Sequence, residues 1–283
     1  MSSYAYYNGS FGKKDEIKVP LSDRSIFFGD AIYDVVIGSY DRLLWEEEHI
    51  DRFLGNAKRL EFNHKYTKKE LSSLLREISV KSTLDCCMIY FQLSRNFPYR
   101  KHSAMGSDTN LLIIVEPIKI EMHPKPMKLI TMSDRRYGYC DIKTTNLLPA
   151  VISATSAENL GYDEAVFIKN DIVFECTKSN ISIIKQGRVI TPPLSNNILP
   201  GITRSHLLRK CYEEGIPFEE RDITKSELFS ADEILVTSTT KLCKTVSIID
   251  DTPVGGRNIE MAVTIQKALY SEFFNFCLKP NLP

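Results

Sequence analysis

An α+β chain of two domains is what this sequence predicts. Apolar runs of strand character outnumber helical ones and rarely alternate strictly with them, which argues against a doubly wound sheet. At 283 residues the chain is longer than one ordinary core requires. Glu116 to Pro126 holds three prolines in eleven residues, which suits neither helix nor central strand. The boundary is expected there, with domains over 1–117 and 127–283 and a linker over 118–126.

The first half reads as follows. Aromatics around Asn8-Gly9 predict a hairpin. Ser22-Asp23-Arg24 leads into a polar turn at Phe27-Phe28-Gly29-Asp30. Ile32 to Ile37 is β-branched with imperfect alternation, so a strand buried on both faces is expected. Leu43-Leu44-Trp45 reads as another strand. From Glu46 to Leu60 the period turns helical, with Ile50, Phe53, Leu54, Ala57 and Leu60 on one face. Arg52 falls off that stripe, as a solvated arginine does. Thr67 to Lys81 is a second amphipathic helix, capped by Thr67 with Glu70 three residues on. Cys86 to Leu93 and Leu111 to Val115 are apolar strands, and the loop between them, Ser94 to His102, is dense in cations and aromatics.

In the second half, Lys128 to Met132 is a strand and Leu147 to Leu160 a helix. Hairpins are expected at Asn170-Asp171 and Gln186-Gly187. A helix runs from Arg204 to Gly215, a strand over Ile234 to Val236 ends in Thr237-Ser238-Thr239-Thr240, and Met261 to Phe274 closes the chain.

Charge and cysteine usage narrow the function classes. Lys+Arg 36 against Asp+Glu 36 gives a net charge of +0, so no nucleic-acid or other polyanion partner is suggested. The seven cysteines are scattered, and the adjacent pair Cys86-Cys87 lacks a metal spacing; reduced thiols and no metal are expected. No apolar run reaches the roughly 18 residues of a membrane helix and no charged-then-apolar leader opens the chain. A cytoplasmic protein without a membrane span is the expectation.

Candidate chemistry centres on Lys143. It stands among Ile142, Leu147 and Leu148, with Asp141 before it and two threonine hydroxyls after it. Apolar walls favour the neutral, nucleophilic form of an amine. Gly201-Ile202-Thr203 at a helix start offers free N–H groups, a hydroxyl and the positive end of the dipole. Thr237 to Thr240 offers up to four hydroxyls. Both have the composition of a phosphate cradle, without the glycine pattern of a Walker or dinucleotide motif. Glu175 ends the apolar run Ile172-Val173-Phe174, where a surface acid is the ordinary occupant.

Asp-Ile-Lys-Thr-x-Asn-Leu-Leu-Pro (141–149), Glu-x-x-x-Ser-Asn (175–180) and Ile-Leu-x-Gly-Ile-Thr-Arg (198–204) resemble the class IV, or fold-type IV, pyridoxal-phosphate aminotransferases. Phe-Gly-Asp-x-x-Tyr (28–33), Glu-His-Ile-Asp-Arg (48–52) and Val-Thr-Ser-Thr-Thr (236–240) extend the likeness over nearly the whole chain. The resemblance implies a small N-terminal α/β domain and a larger, strand-rich C-terminal domain carrying the Schiff-base lysine. It implies pyridoxal 5'-phosphate as cofactor, with Lys143 as Schiff-base residue and proton carrier and Glu175 as partner of the pyridine nitrogen. Arg52, Ile202, Thr203, Ser238 and Thr239 would hold the phosphate, and Leu199 would pack under the ring.

Within the family, Arg100-Lys101-His102 resembles the carboxylate trap of D-amino acid aminotransferases, in which an arginine and a histidine join a tyrosine matching Tyr33. That loop acts across a homodimer, so the resemblance implies one. A D-amino acid and a 2-oxo acid are the implied substrates, in ping-pong order. The alternatives are an L-branched-chain aminotransferase, an aminodeoxychorismate lyase, and a pyridoxal-phosphate-binding protein without turnover. Three positions depart from the pattern. Cys176-Thr177-Lys178 replaces small residues and sends a cation either toward Glu175 or out to solvent; Lys241-Leu242 stands where Ser-Glu is usual; Asp34 stands for Glu. None is expected to touch Lys143, Glu175 or the cradle.

Overall fold

A computed structural model of the chain describes residues 3–104 and 106–278. They divide into two compact units: one takes in the described residues of Met1–Lys119, Ile142–Asn146 and Asn275–Pro283, the other Ile120–Asp141 and Leu147–Phe274.

The first unit opens with β1 (Tyr4–Tyr7) and β2 (Ser10–Lys13), a hairpin whose turn residues Asn8 and Gly9 both have positive φ. The short α1 (Ser25–Phe28) ends at Gly29 in the left-handed region, φ 57°. After it come β3 (Ala31–Ser39), β4 (Arg42–Leu43), α2 (Glu46–Arg59), α3 (Lys68–Lys81), β5 (Cys87–Asn96) and β6 (Asp108–Pro117). The strands form one antiparallel sheet, in order β2-β1-β6-β5-β3-β4. Ile50, Phe53 and Ala57 of α2 and Leu71, Leu75 and Ile78 of α3 join Ile32, Val36, Ile89, Phe91 and Ile113 of the sheet in a single core. Each fully buried Val, Leu, Ile or Phe side chain there contributes about 1.5–3 kcal/mol. Thr67 and Glu70 make the expected reciprocal cap of α3. The expected strand over Leu43 to Trp45 is cut short: Trp45 has φ 52° and turns the chain into α2. Strands β5 and β6 run longer than their apolar stretches, because ladder pairing continues through Asn96 and Asp108.

Residues 142–146 belong to this unit, whereas the sequence places them, with Lys143, beyond a boundary at 118–126. The cause is backbone pairing. Tyr33 N donates to Lys143 O (2.9 Å) and Thr145 N to Ala31 O (3.1 Å), and Ile32 bridges Thr144. Asn146 Nδ2 and Thr145 Oγ1 donate to Gly29 O at 2.8 and 3.0 Å. A Cβ on Gly29 would meet Asn146 Oδ1 at 2.7 Å, so close approach joins the left-handed turn in requiring glycine.

The second unit contains β7 (Met127–Ser133), α4 (Leu148–Asn159), β8 (Glu164–Lys169), β9 (Ile172–Cys176), β10 (Asn180–Lys185) and β11 (Arg188–Thr191). Then follow α5 (Ile202–Glu213), β12 (Phe218–Glu220), β13 (Ile223–Thr224), α6 (Lys225–Phe229), β14 (Glu233–Ser238), β15 (Leu242–Ile249) and β16 (Thr252–Pro253). The last helix is α7 (Ile259–Cys277). The sheet runs β12-β11-β10-β14-β15-β7-β8-β9-β13. Since β9 also pairs with β10, at Glu175 opposite Asn180, six of its strands close into a circuit. Closure fixes the tilt and stagger of its strands. Strand β15 was not legible in the sequence; lysine and serine interrupt its apolar positions, which still bury Leu242, Cys243, Val246 and Ile249.

Candidate active site

In the first unit, Lys143 is held by its backbone, and its tip lies over a ring. Its carbonyl is tied to β3, and Nζ lies 4.5 Å from the centre of the Tyr33 ring, a cation–π distance. Tyr33 stacks in turn on Tyr90, ring centroids 5.2 Å apart. Behind this pair lies an ion network that the sequence did not disclose. Asp34 is fully buried and takes both Nε and Nη2 of Arg52, at 2.8 and 2.7 Å. It also accepts from His49 Nδ1 at 2.9 Å, which places the ring proton on that nitrogen. Burial by itself would raise the Asp34 carboxyl, but Arg52 and His49 hold it well below the ordinary carboxylate range. Burial dominates at His49 and lowers its pKa, so the imidazole is neutral.

Two sequence expectations change here. Arg52 is not a solvated arginine: its side chain is 9% exposed. And Asp34 does touch a candidate cradle residue, since it forms a forked pair with Arg52. The shorter acid reaches because Arg52 lies one turn along α2 from His49, so both project toward β3.

In the second unit, Glu175 stands at the β9–β10 closure, buried, with donors on both oxygens. Asn180 Nδ2 and Leu199 N donate to Oε2 at 3.0 and 3.1 Å. Arg136 Nη1 donates to Oε1. Arg136 is itself held by Asp134 and by Asn197 O and lies over the Phe167 ring at 4.4 Å. Burial opposes its charge, but Asp134 and Glu175 raise its pKa. The cation beside Glu175 is therefore Arg136; Lys178 points to solvent. Nothing in the Asp134-Arg135-Arg136-Tyr137 run distinguishes Arg136 from its neighbour. Asn180 had a signal, as the last residue of the Glu-x-x-x-Ser-Asn motif.

The other cradle candidates lie in this second unit. Helix α5 starts at Ile202, two residues before the sequence placed it, and Gly201 caps it without a side-chain bond. First-turn amides of a helix lack internal partners. Thr203 and Thr237 are buried and Ser238 half-buried, and the hydroxyls of all three have no hydrogen-bond partner among the described residues. Thr239 is half-buried beside them. Leu199 precedes α5, its carbonyl taking Asn180 Nδ2 at 3.0 Å. Lys241, the departure after Thr240, is paired with the fully buried Glu164, which also accepts from Ser179 Oγ at 2.9 Å.

Arg100 and His102 are exposed on the loop after β5. Their side chains gather round Phe28: the Arg100 guanidinium is 5.2 Å and the His102 ring 5.4 Å from its centre. Among the described residues no cluster of His, Cys, Asp and Glu could hold a metal, and no helix is long and apolar enough to cross a membrane.

The family model for amino-transferase class IV matches residues 31–249. The chain belongs to the class IV aminotransferases. D-alanine aminotransferase of Bacillus licheniformis is 32% identical to it, covering 94% of this chain and 97% of that protein. The enzyme of the same name from Listeria monocytogenes is 30% identical, with 95% and 96% covered. The Escherichia coli branched-chain amino acid aminotransferase structure superposes with a TM-score of 0.88 at 20% identity, covering 99% of this chain and 98% of that one. This class IV aminotransferase uses pyridoxal 5'-phosphate and has an amino acid and a 2-oxo acid as substrates. Its own residues fit the cofactor. The unpartnered hydroxyls of Thr203, Thr237 and Ser238 and the α5 amides are donors of the kind a phosphate takes, and Glu175 is a buried acceptor of fixed orientation.

Proposed function

We propose that this aminotransferase moves the amino group of a D-amino acid, D-alanine included, to a 2-oxo acid in ping-pong order. The near end-to-end likeness to D-alanine aminotransferases carries the reading. The Arg100 and His102 loop, with donors suited to a carboxylate, supports it. The branched-chain enzyme shares the fold at an identity that speaks to fold alone.

When bound, pyridoxal phosphate supplies an aldehyde for the amine and an electron sink for the bond broken at the substrate's Cα. Lys143 would hold the cofactor covalently through Nζ and, once released, carry the Cα proton. Its carbonyl anchorage to β3 leaves the side chain to make that movement while the backbone stays. Glu175, oriented by Asn180 and Leu199 N, would accept from the pyridine N–H. Arg52, Ile202 N, Thr203, Ser238 and Thr239 would hold the phosphate, and Leu199 would line the ring. Tyr33, Arg100 and His102 would bind the substrate carboxylate. The reading also implies a homodimer and a cytoplasmic setting. Exposed Leu148, Val151 and Ile152 on α4 support an interface.

The test is a panel of D- and L-amino donors with pyruvate and 2-oxoglutarate as acceptors, run beside Lys143→Ala. D-alanine is expected to be a donor, and the variant to lose transamination by several orders of magnitude while retaining cofactor without a covalent link. Activity confined to L-leucine would end the D-specific reading.

A further inference from the structure

We infer that Arg24 is a positioning residue that fixes the Arg100–His102 loop for its substrate carboxylate; this rests on the carboxylate role of that loop proposed above. The loop's side chains are exposed, and Tyr99 beside them is 71% exposed, so little packing sets their direction. Arg24, by contrast, is 4% exposed. Its Nη1 donates to Lys101 O and its Nη2 to His102 O, the latter at 2.7 Å. Its Nε donates to Asp30 Oδ2 at 2.7 Å. The guanidinium lies 4.5 Å from the Phe28 ring centre, the same ring that Arg100 and His102 approach. One fork therefore holds two successive carbonyls, flanked by the two side chains meant to grip a carboxylate.

The other end of this clamp is rigid. Asp23, 1% exposed, accepts from Tyr7 Oη, Ser94 Oγ and Asn110 Nδ2 at 3.1, 2.7 and 2.9 Å, and from Ser25 N and Oγ at 3.0 and 2.6 Å. Arg24 N donates to Arg95 O and Phe97 N to Ser22 O. Arg24 thus reaches from a pinned segment to an exposed loop. A guanidinium is required because its donors are fixed in a plane, whereas a lysine presents one flexible ammonium. The segment read in sequence only as the lead into a polar turn is the loop's anchor.

The experiment compares Arg24→Gln, Arg24→Lys and Arg100→Gln with wild type as holoenzymes. The readouts are KM for D-alanine, Ki of propionate as a carboxylate lacking an amine, kcat, and amide hydrogen exchange over residues 100–104. Arg24→Gln is expected to raise KM and Ki by about tenfold, the equivalent of one lost charge-assisted bond, and Arg24→Lys by more than about threefold. They are expected to change kcat less than about threefold and to speed exchange in the loop. Lys, which keeps a cation against Asp30, recovers less than half of the loss on a logarithmic scale, and it carries the test should Gln prevent folding. Unchanged Ki in both Arg24 variants with a raised Ki in Arg100→Gln overturns the positioning role and leaves the carboxylate reading standing. Unchanged Ki in Arg100→Gln overturns that reading and the role of Arg24 with it. A fall in kcat at constant Ki also overturns the inference.

Discussion

Replacing Asp34 by Asn tests whether a buried charge, rather than shape, organises the wall behind Lys143. The side chain keeps its volume and one acceptor, so packing against β3 is undisturbed. What is lost is the negative charge facing the Arg52 guanidinium, whose side chain is 9% exposed, and the acceptor shared with His49. Removing one partner of a buried pair costs about 3–5 kcal/mol because the other is left uncompensated, and the remaining Asn carbonyl argues for the lower end. For domains above about 150 residues, 1 kcal/mol corresponds to roughly 2–4 °C in melting temperature. A fall of about 6–12 °C is expected in thermal unfolding at neutral pH. There the carboxylate's contribution is fully present: a folded pKa held below 3.8 stabilises above that value and is lost only as pH falls through the lower one. The Asp34→Asn, Arg52→Gln double variant should melt higher than the sum of the single effects allows, by a coupling of about 1.5–3 kcal/mol. A melting temperature within about 1 °C of wild type for Asp34→Asn, or strict additivity in the double variant, refutes the reasoning.

His49 gives a prediction in pH. Its folded pKa is depressed below 6.5, so the unfolded chain takes up a proton that the folded one refuses, and stability falls as pH drops below 6.5. His49→Gln should flatten the stability profile just below that value, by up to about 1.4 kcal/mol per pH unit, measured by thermal or denaturant unfolding; an unaltered slope rejects it. Gly201→Ala places a Cβ 1.8 Å from Asn180 Oδ1, and Asn180 cannot swing away without releasing Glu175 and Leu199. Overpacking of this kind costs about 1–3 kcal/mol, so the variant should melt about 2–12 °C lower and hold its cofactor less tightly on dialysis. Wild-type melting and retention would show that Asn180 yields.

Much of the molecule was legible because its signals are local. Period 3.6 marked α2 and α3, a capping box marked the start of α3, and turn pairs at Asn8-Gly9, Asn170-Asp171 and Gln186-Gly187 marked three hairpins whose turn residues all have positive φ. The strands that escaped, β12, β13 and β16, are two or three residues long, too short for a period to show. Strand β15 is long enough, but lysine and serine fall where alternation would want apolar side chains.

The chemistry divides the same way. Sequence by itself determined the α+β class, the class IV family and the side chains from which the candidate site is drawn: a lysine in its motif, an acid ending a strand, hydroxyls after another. Tertiary structure decided how those side chains are held. It set Asp34 against Arg52 and His49, gave Glu175 an arginine from 39 positions away, paired Lys241 with Glu164, and hung the Arg100–His102 loop on Arg24, 77 residues distant at Lys101. The reason is physical. Periodicity and turn chemistry are written between neighbours in the chain, but a charge answers to whatever lies within a few ångströms, and only folding chooses that company.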